Sequence, residues 1–336
     1  MKSGSASLAV LRMLALGISV LVLQSCAVQN EASAVANADG SGRADTVLIA
    51  HDGGDYASLK EALASAPEEV TRFILKAGIY TEWDIMVERP ASIIGAGAES
   101  TIIQGAAEPG TAPDRIFTIA EGVDALIQDV TIRHGVATKI LRRGGGILNL
   151  GTLRLADSRV MDNAALYGVG MDNRGRATVS GCLFSGNTGL TMNQEEVITG
   201  VGCTGSGGGI KNEPGAILTM TSTEVSGNST NRKGGGIFVA CESRATIYDC
   251  VIKGNRSGDP GGGIHVRGDL VLVGCTVTGN TAVSGADGIE NMGFLDFSGN
   301  TIQDNDRVNL ENRNYTGRGI YGQGFVGIDE GNRIGK

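Results

Sequence analysis

Residues 261–305 read GGGIHVRGDLVLVGCTVTGNTAVSGADGIENMGFLDFSGNTIQDN, and shifted by 25 residues the stretch overlays itself. Asn280 falls on Asn305, Val277 on Ile302, Leu272 on Phe297, Leu270 on Leu295 and Ile264 on Ile289. The same frame runs upstream. Units also end at Asn163, Asn187, Asn228 and Asn255, so the six asparagines are spaced by 24, 41, 27, 25 and 25 residues. The positions three, eight and ten before each asparagine are apolar in every unit, as in Val160, Leu155 and Leu153 or Val225, Met220 and Leu218.

These offsets convert into geometry. Positions ten and eight differ by two, so they share one face of one strand, and positions five and three do likewise. The odd step from eight to five breaks the pleat and places a bend there. A third strand opens at each glycine-rich tetrad: Gly144–Ile147, Gly168–Met171, Gly207–Ile210, Gly234–Ile237, Gly261–Ile264 and Ala286–Ile289. Three short strands and three corners make one coil. Stacked coils pair like strands in parallel about 4.8 Å apart, each covering the apolar floor of the last. A leucine-rich repeat has a similar period but needs a leucine framework that is absent, and a propeller blade needs about 40 residues or more. The expected fold is all-β, a parallel β-helix solenoid.

The pattern GGGIxN…FSGN over 144–305 resembles the repeats of right-handed β-helix surface proteins, including the polymorphic outer-membrane protein repeat family. Upstream, HDGGDYASLKEAL (51–63) and SIIGAGAESTII (92–103) resemble the opening of pectin-lyase-like β-helices. The resemblance implies right-handed winding and a short helix, about 57–66, plugging the first coil. Leu59, Ala62, Leu63 and Ala66 stand at helical spacing for that task. On this reading 45–336 is one domain, with an N-terminal cap about 45–78, regular repeats about 144–305 and a second cap about 306–336.

The N-terminus reads as an export signal. Lys2 and Arg12 precede an apolar run, Met13–Leu23, too short for the roughly 20 residues of a membrane span. Leu23-Gln24-Ser25-Cys26 ends the run and resembles the bacterial lipobox, which implies cleavage after residue 25 and lipidation of Cys26. Residues 26–44 are small and polar and read as a tether. Ala27 implies sorting to the outer membrane, so the expected location is the cell envelope, with the lipid as the only membrane attachment. Without residues 1–25 the chain has 26 Lys+Arg against 36 Asp+Glu, which argues against a nucleic-acid partner.

Fold does not dictate function here, because the pectin-lyase-like superfamily holds lyases, hydrolases, esterases, epimerases and non-catalytic surface proteins. The paired-aspartate motifs of pectin methylesterases, the Gly-His-Gly of polygalacturonases and the carboxylate set of calcium-dependent pectate lyases find no match. What remains is positional. In each GGGIxN strand the Ile and Asn face inward, so Asp172 and Arg174, Lys211 and Glu213, Phe238, His265 and Arg267, and Glu290 face out, one step of about 5 Å per coil. This strip, headed by Leu148, is either a sugar-binding surface or a solvated face of alternating charge. The long spacing after Asn187 marks an insertion, 188–206, carrying Gln194, Glu195, Glu196 and Cys203, which is either a binding loop or a loop that has drifted neutrally. His51, His134 and His265 lie far apart in the register, so no metal site and no cofactor are expected.

Six cysteines are present, and Cys26 belongs to the lipid. Cys182, Cys250 and Cys275 share one place, five residues before the unit's asparagine, where other units carry Ser158, Thr223 and Asn300. They are expected to be reduced and buried as small hydrophobes. Cys203 and Cys241 are the pair that could bridge. The leading expectation is a non-catalytic, lipid-anchored surface β-helix that binds a glycan or another envelope component. The alternatives are a polysaccharide lyase or hydrolase using the strip, and a purely structural envelope protein. Cys26→Ala should abolish labelled-palmitate incorporation and release the protein from the membrane fraction; unchanged partition would refute the anchor.

Overall fold

The structure is a computed structural model that describes residues 44–137, 142–190, 206–305, 320–321 and 325–334. Cys26, Glu195, Glu196 and Cys203 lie outside the described residues.

One coil shows the plan. Ile147–Asn149, Thr152–Ala156, Arg159–Met161 and Ala164–Ala165 are four short strands separated by tight corners. Each pairs in parallel with its counterpart one coil on: Ile147 with Met171, Leu155 with Val179, Val160 with Phe184 and Ala164 with Thr188. Repetition builds sheets of 9, 11, 10 and 5 strands among the described residues. The fourth sheet, of two-residue strands, was not legible in the repeat. Pairing begins at Thr46 with Arg72, well upstream of the regular repeat. Residues 320–321 and 325–334, expected within the closing cap, contribute strands that pair with the coil before them.

The apolar positions of the repeat line one continuous core, in which Leu153, Val160, Leu218, Val225, Leu270 and Val277 are fully buried. Each such side chain contributes roughly 1.5–3 kcal/mol by leaving water. The N-terminal opening is closed by helix α1, Leu59–Ser65, capped by Ser58, which accepts from the Glu61 N–H. Leu59 and Ala62 are buried against the core, and Leu63 packs at its edge.

Polar side chains close the corners. Asn163, Asn187, Asn228, Asn255, Asn280 and Asn305 are buried in a ladder. Each of the first five donates its Nδ2 to the next Oδ1 at 2.8–3.0 Å, and the same oxygen also receives the donor residue's own backbone N–H. A second ladder runs inside the triplet strands, Asn149 to Asn173 and Asn173 to Asn212, both at 2.7 Å. All three are buried, as the register requires.

Ser158, Cys182, Thr223, Cys250, Cys275 and Asn300 are buried in one stack, and the three cysteines are free thiols. They do more than fill space. Cys250 Sγ donates to Tyr248 O at 3.1 Å and Thr223 Oγ1 to Thr221 O at 2.9 Å, while Cys182 N–H donates to Thr223 Oγ1 at 3.3 Å. Ser, Thr and Cys interchange because each offers one short donor and one acceptor at a bend. Cys241 is disulfide-bonded.

Asn212 accepts from Asn173 and donates to Ala216 O at 3.2 Å and Arg244 O at 3.0 Å. Asn212→Leu strands those groups, so urea melting should show a loss of about 1–3 kcal/mol. A midpoint unchanged within error would place this side chain in water.

Candidate functional site

The outward strip is real in register but not open. Asp172 pairs with Lys211, Lys211 with Phe238, Phe238 with His265 and His265 with Glu290 across five successive coils. None of these side chains belongs to the core inside the coils. Yet Asp172, Phe238 and His265 are 0 % exposed, and Lys211 and Glu290 3 %. Neither expectation for the strip, an open sugar-binding surface or a solvated face, holds for these five residues or for Glu213, which is also buried; Arg174 and Arg267 remain partly exposed. The cause lies in the glycine before each strand. Gly168 takes φ +51, and a Cβ there would sit 2.5 Å from Asp172 Cα; at Gly261, φ +84, it would sit 2.7 Å from His265 Cβ. The left-handed turn that glycine allows folds the incoming chain back over the strand it is about to enter.

What the fold-back places over the strip is Arg143, Tyr167, Lys233 and Pro260, each directly preceding a glycine tetrad. Sequence reasoning missed them, although that constant position is the signal. Arg143 bridges the two carboxylates, reaching Asp172 Oδ2 at 3.4 Å and pairing closely with Glu213. Arg174 Nε meets Asp172 Oδ1 at 3.3 Å, and Lys211 Nζ lies 2.8 Å from Glu213 Oε1. The Lys211 ammonium also stands 4.7 Å from the Tyr167 ring centroid, and the Arg143 guanidinium 4.8 Å. Burial pushes the Lys211 amine down to about 7, Asp172 opposing the fall and the neighbouring arginines adding to it.

Two coils further, His265 stacks on Phe238 with centroids 5.3 Å apart and 6° between planes. Its Nδ1–H donates to Pro260 O at 3.2 Å, and Nε2 accepts from Arg267 Nε at 3.4 Å. Burial first, then Lys233 and Arg267, push its imidazole down to about 3, so it stays neutral. Glu290 accepts from the Ala286 N–H at 3.3 Å, and burial raises its carboxyl to about 7. The strip therefore brings the eight expected residues into one ion-pair and aromatic layer, covered except at Arg174 and Arg267.

A second feature is open. Ser185, Gly186, Ser226, Gly227, Lys253, Gly254, Thr278 and Gly279 line a shallow trough of about 590 Å³. It follows the corner just before the asparagine ladder, one Ser/Lys/Thr-Gly rung per coil. Lys253 reaches Glu224 Oε2 at 2.9 Å, an exposed pair that a ligand can displace at little cost. Asp162 and Asp304 occupy the glycine position in the coils beyond, with φ 53 and 54. The trough thus has two ends. Among the described residues no cluster of His, Cys, Asp and Glu could hold a metal ion.

The family described as the right-handed β-helix region matches residues 116–306. Pectinesterase 3 of Solanum lycopersicum is 34 % identical over 96 residues, 26 % of this chain and 18 % of that protein, so the match spans under a fifth of the relative. Among solved structures, carrot pectin methylesterase superposes with a TM-score of 0.42 at 14 % identity, covering 87 % of this chain and 91 % of the other. ORF18 of Geobacillus virus E2 gives 0.46 at 12 % identity, covering 92 % and 64 %.

Glu290 gives the strip a measurable pH signature. Its folded carboxyl binds a proton more tightly than the unfolded one, so its stabilising contribution is complete below about 4.5 and is lost as pH rises through about 7. Glutamine imitates the protonated form. Glu290→Gln should melt with wild type at pH 4 and above it at pH 8; the opposite order would mean that the carboxylate is stabilised as an ion.

Proposed function

The chain belongs to the right-handed β-helix family, and from that premise we propose that it is a lipid-anchored bacterial envelope protein that binds a glycan or another surface component without transforming it. The observation that carries this is the open trough from Ser185 to Gly279. Its rungs repeat at the parallel-strand spacing of about 4.8 Å, comparable to the length of one pyranose residue, so a linear chain laid along the corner meets the same groups at every step. Hydroxyls and one amine supply hydrogen bonds, and bare glycine backbone lets a sugar ring come close. No carboxylate pair and no histidine to activate a hydroxyl lines the trough, which favours binding over chemistry. The envelope location rests on Leu23–Cys26.

One observation favours a second reading, a polysaccharide lyase or hydrolase. Lys211, held near neutrality between Asp172 and Glu213, has the shifted proton affinity that acid–base chemistry uses. That reading needs the Arg143–Tyr167 cover to open. The partial likeness to a pectinesterase makes pectin the first substrate to try.

Gly254→Asn separates the two. Asparagine tolerates the left-handed backbone, as the aspartates at 162 and 304 do, and the nearest atom to its Cβ would be 4.0 Å away. The variant should melt like wild type and lose glycan-array binding, with neither unsaturated product nor new reducing ends formed from pectin by either protein. Undiminished array binding removes the trough from the account. Pectin turnover that Lys211→Met abolishes would establish the enzyme instead.

A further inference from the structure

Trp83 is the chain's one tryptophan and is 38 % exposed. It stands at the corner between Gly78–Thr81 and Ile85–Val87, the first strands of two of the sheets. Ile79 and Met86, on those two strands, are also exposed. Met86 is the first rung of the outward strip and lacks the cover that buries its successors.

The backbone on both sides of the indole is fixed. Before it, the buried Glu82 carboxylate accepts from the first N–H groups of α1, Leu59 at 2.9 Å and Lys60 at 2.7 Å, and from Ser58 Oγ at 3.1 Å. The positive end of the helix favours that charge. After it, Asp84 holds φ 53, and its N–H donates to Arg115 O at 2.8 Å. The Trp83 carbonyl itself accepts from Lys60 Nζ at 3.0 Å, and Lys60 pairs with Asp84 at 4.0 Å. The exposed part of a large apolar side chain forgoes the gain of burial, and here the backbone that carries it is held on both sides. Such rigidity removes the ordering cost of a binding event in advance.

We propose that Trp83 is an aromatic platform for a neutral glycan, a second contact point on the same ligand class as the trough; the assignment rests on the glycan reading. The apolar face of a pyranose lies on the indole, with Met86 extending the shelf. Lys60 and Asp84, each about half exposed, reach ring hydroxyls from the rim as donor and acceptor. Their charges offset each other, so the site does not select an anion. This is the composition of a small-molecule site, an apolar surface with a few polar groups at its edge.

Because Trp83 is the sole tryptophan, its emission reports on this site alone. Full-length protein is titrated with cellohexaose, xylohexaose and the oligogalacturonate hexamer. The expected result is a saturable change in emission with a neutral hexasaccharide and a weaker one with the charged hexamer. Trp83→Ala should weaken that binding, read by calorimetry, at least about tenfold, and Trp83→Phe should retain most of it. Flat emission with all three sugars overturns the proposal, as does equal affinity of Trp83→Ala and wild type. If array binding is lost in Gly254→Asn while wild-type emission never moves, the trough reading stands and this one falls. If Gly254→Asn keeps the emission response, the platform stands without the trough.

Discussion

A buried amide cannot be satisfied within its own coil, and the rest of the molecule is arranged around that constraint. Asn187 donates to Asn228 and to Val160 O, and its oxygen receives from Asn163, so three coils share the amide's bonds. Left unpaired in that position it would cost several kcal/mol. The ladder therefore demands that every coil return its asparagine to one corner, whatever the chain does in between. The 41-residue unit obeys: Asn187 meets Asn228 at 2.8 Å, as close as any rung. Its extra residues leave after Thr188–Gly189 and re-enter before the next glycine tetrad, in the one connection the ladders do not touch. The long insertion falls on that side, while the corner after the triplet strand varies only between 150–151 or 267–268 and the longer 213–216 and 240–243.

This explains how much could be read beforehand. The repeat exposes whatever every coil must do alike: the apolar floor, the amide ladder within the triplet strands, the Ser/Thr/Cys stack at the bend. Interchange of Ser158, Cys182 and Thr223 was a sound sign of inward position because the pleat fixes direction. Pleat parity separates only the inside of the coil from the outside, however, and the outside is not always solvent. Asp172 and His265 point out and are buried, since they are covered by residues that precede the glycine tetrads, at a place that is constant in the repeat but not constant in residue type. Glycine was the available clue. A triplet richer in glycine than a strand start needs means that backbone passes very close, and at Gly168 it passes over Asp172.

The covered layer changes character along the axis. Around Asp172 and Glu213 it is ionic, with Arg143 and Arg174 as partners; at Phe238 and His265 it is a neutral stack; at Glu290 it is a carboxyl inclined to keep its proton. Buried ion pairs are a poor source of net stability, because desolvation consumes most of the attraction. They do penalise misplacement. A coil slipped by one rung would set Asp172 against Phe238 instead of Lys211, so the charges add register information on the outer side of the strands whose inner side carries the second asparagine ladder. Lys211 and Glu290 strain against their own charges at neutral pH, so the layer adds register at some cost in stability.

Among the described residues, two places are claimed by neither ladder nor cover. One is the corner beside the asparagines, where the backbone must turn left-handed and so selects glycine or a short acid. Glycine at 186, 227, 254 and 279 leaves a trough, while Asp162 and Asp304 do the same conformational work and close its ends. The choice between residues that satisfy the backbone equally well is free of folding pressure. The other is the first coil, where sheets begin and the cover has not started. There Glu82 is held by α1, and the neighbouring Trp83 stays partly exposed. A solenoid this uniform can place a recognition feature only where its own repetition is interrupted or is indifferent to the side chain, and both conditions are met on its outer surface.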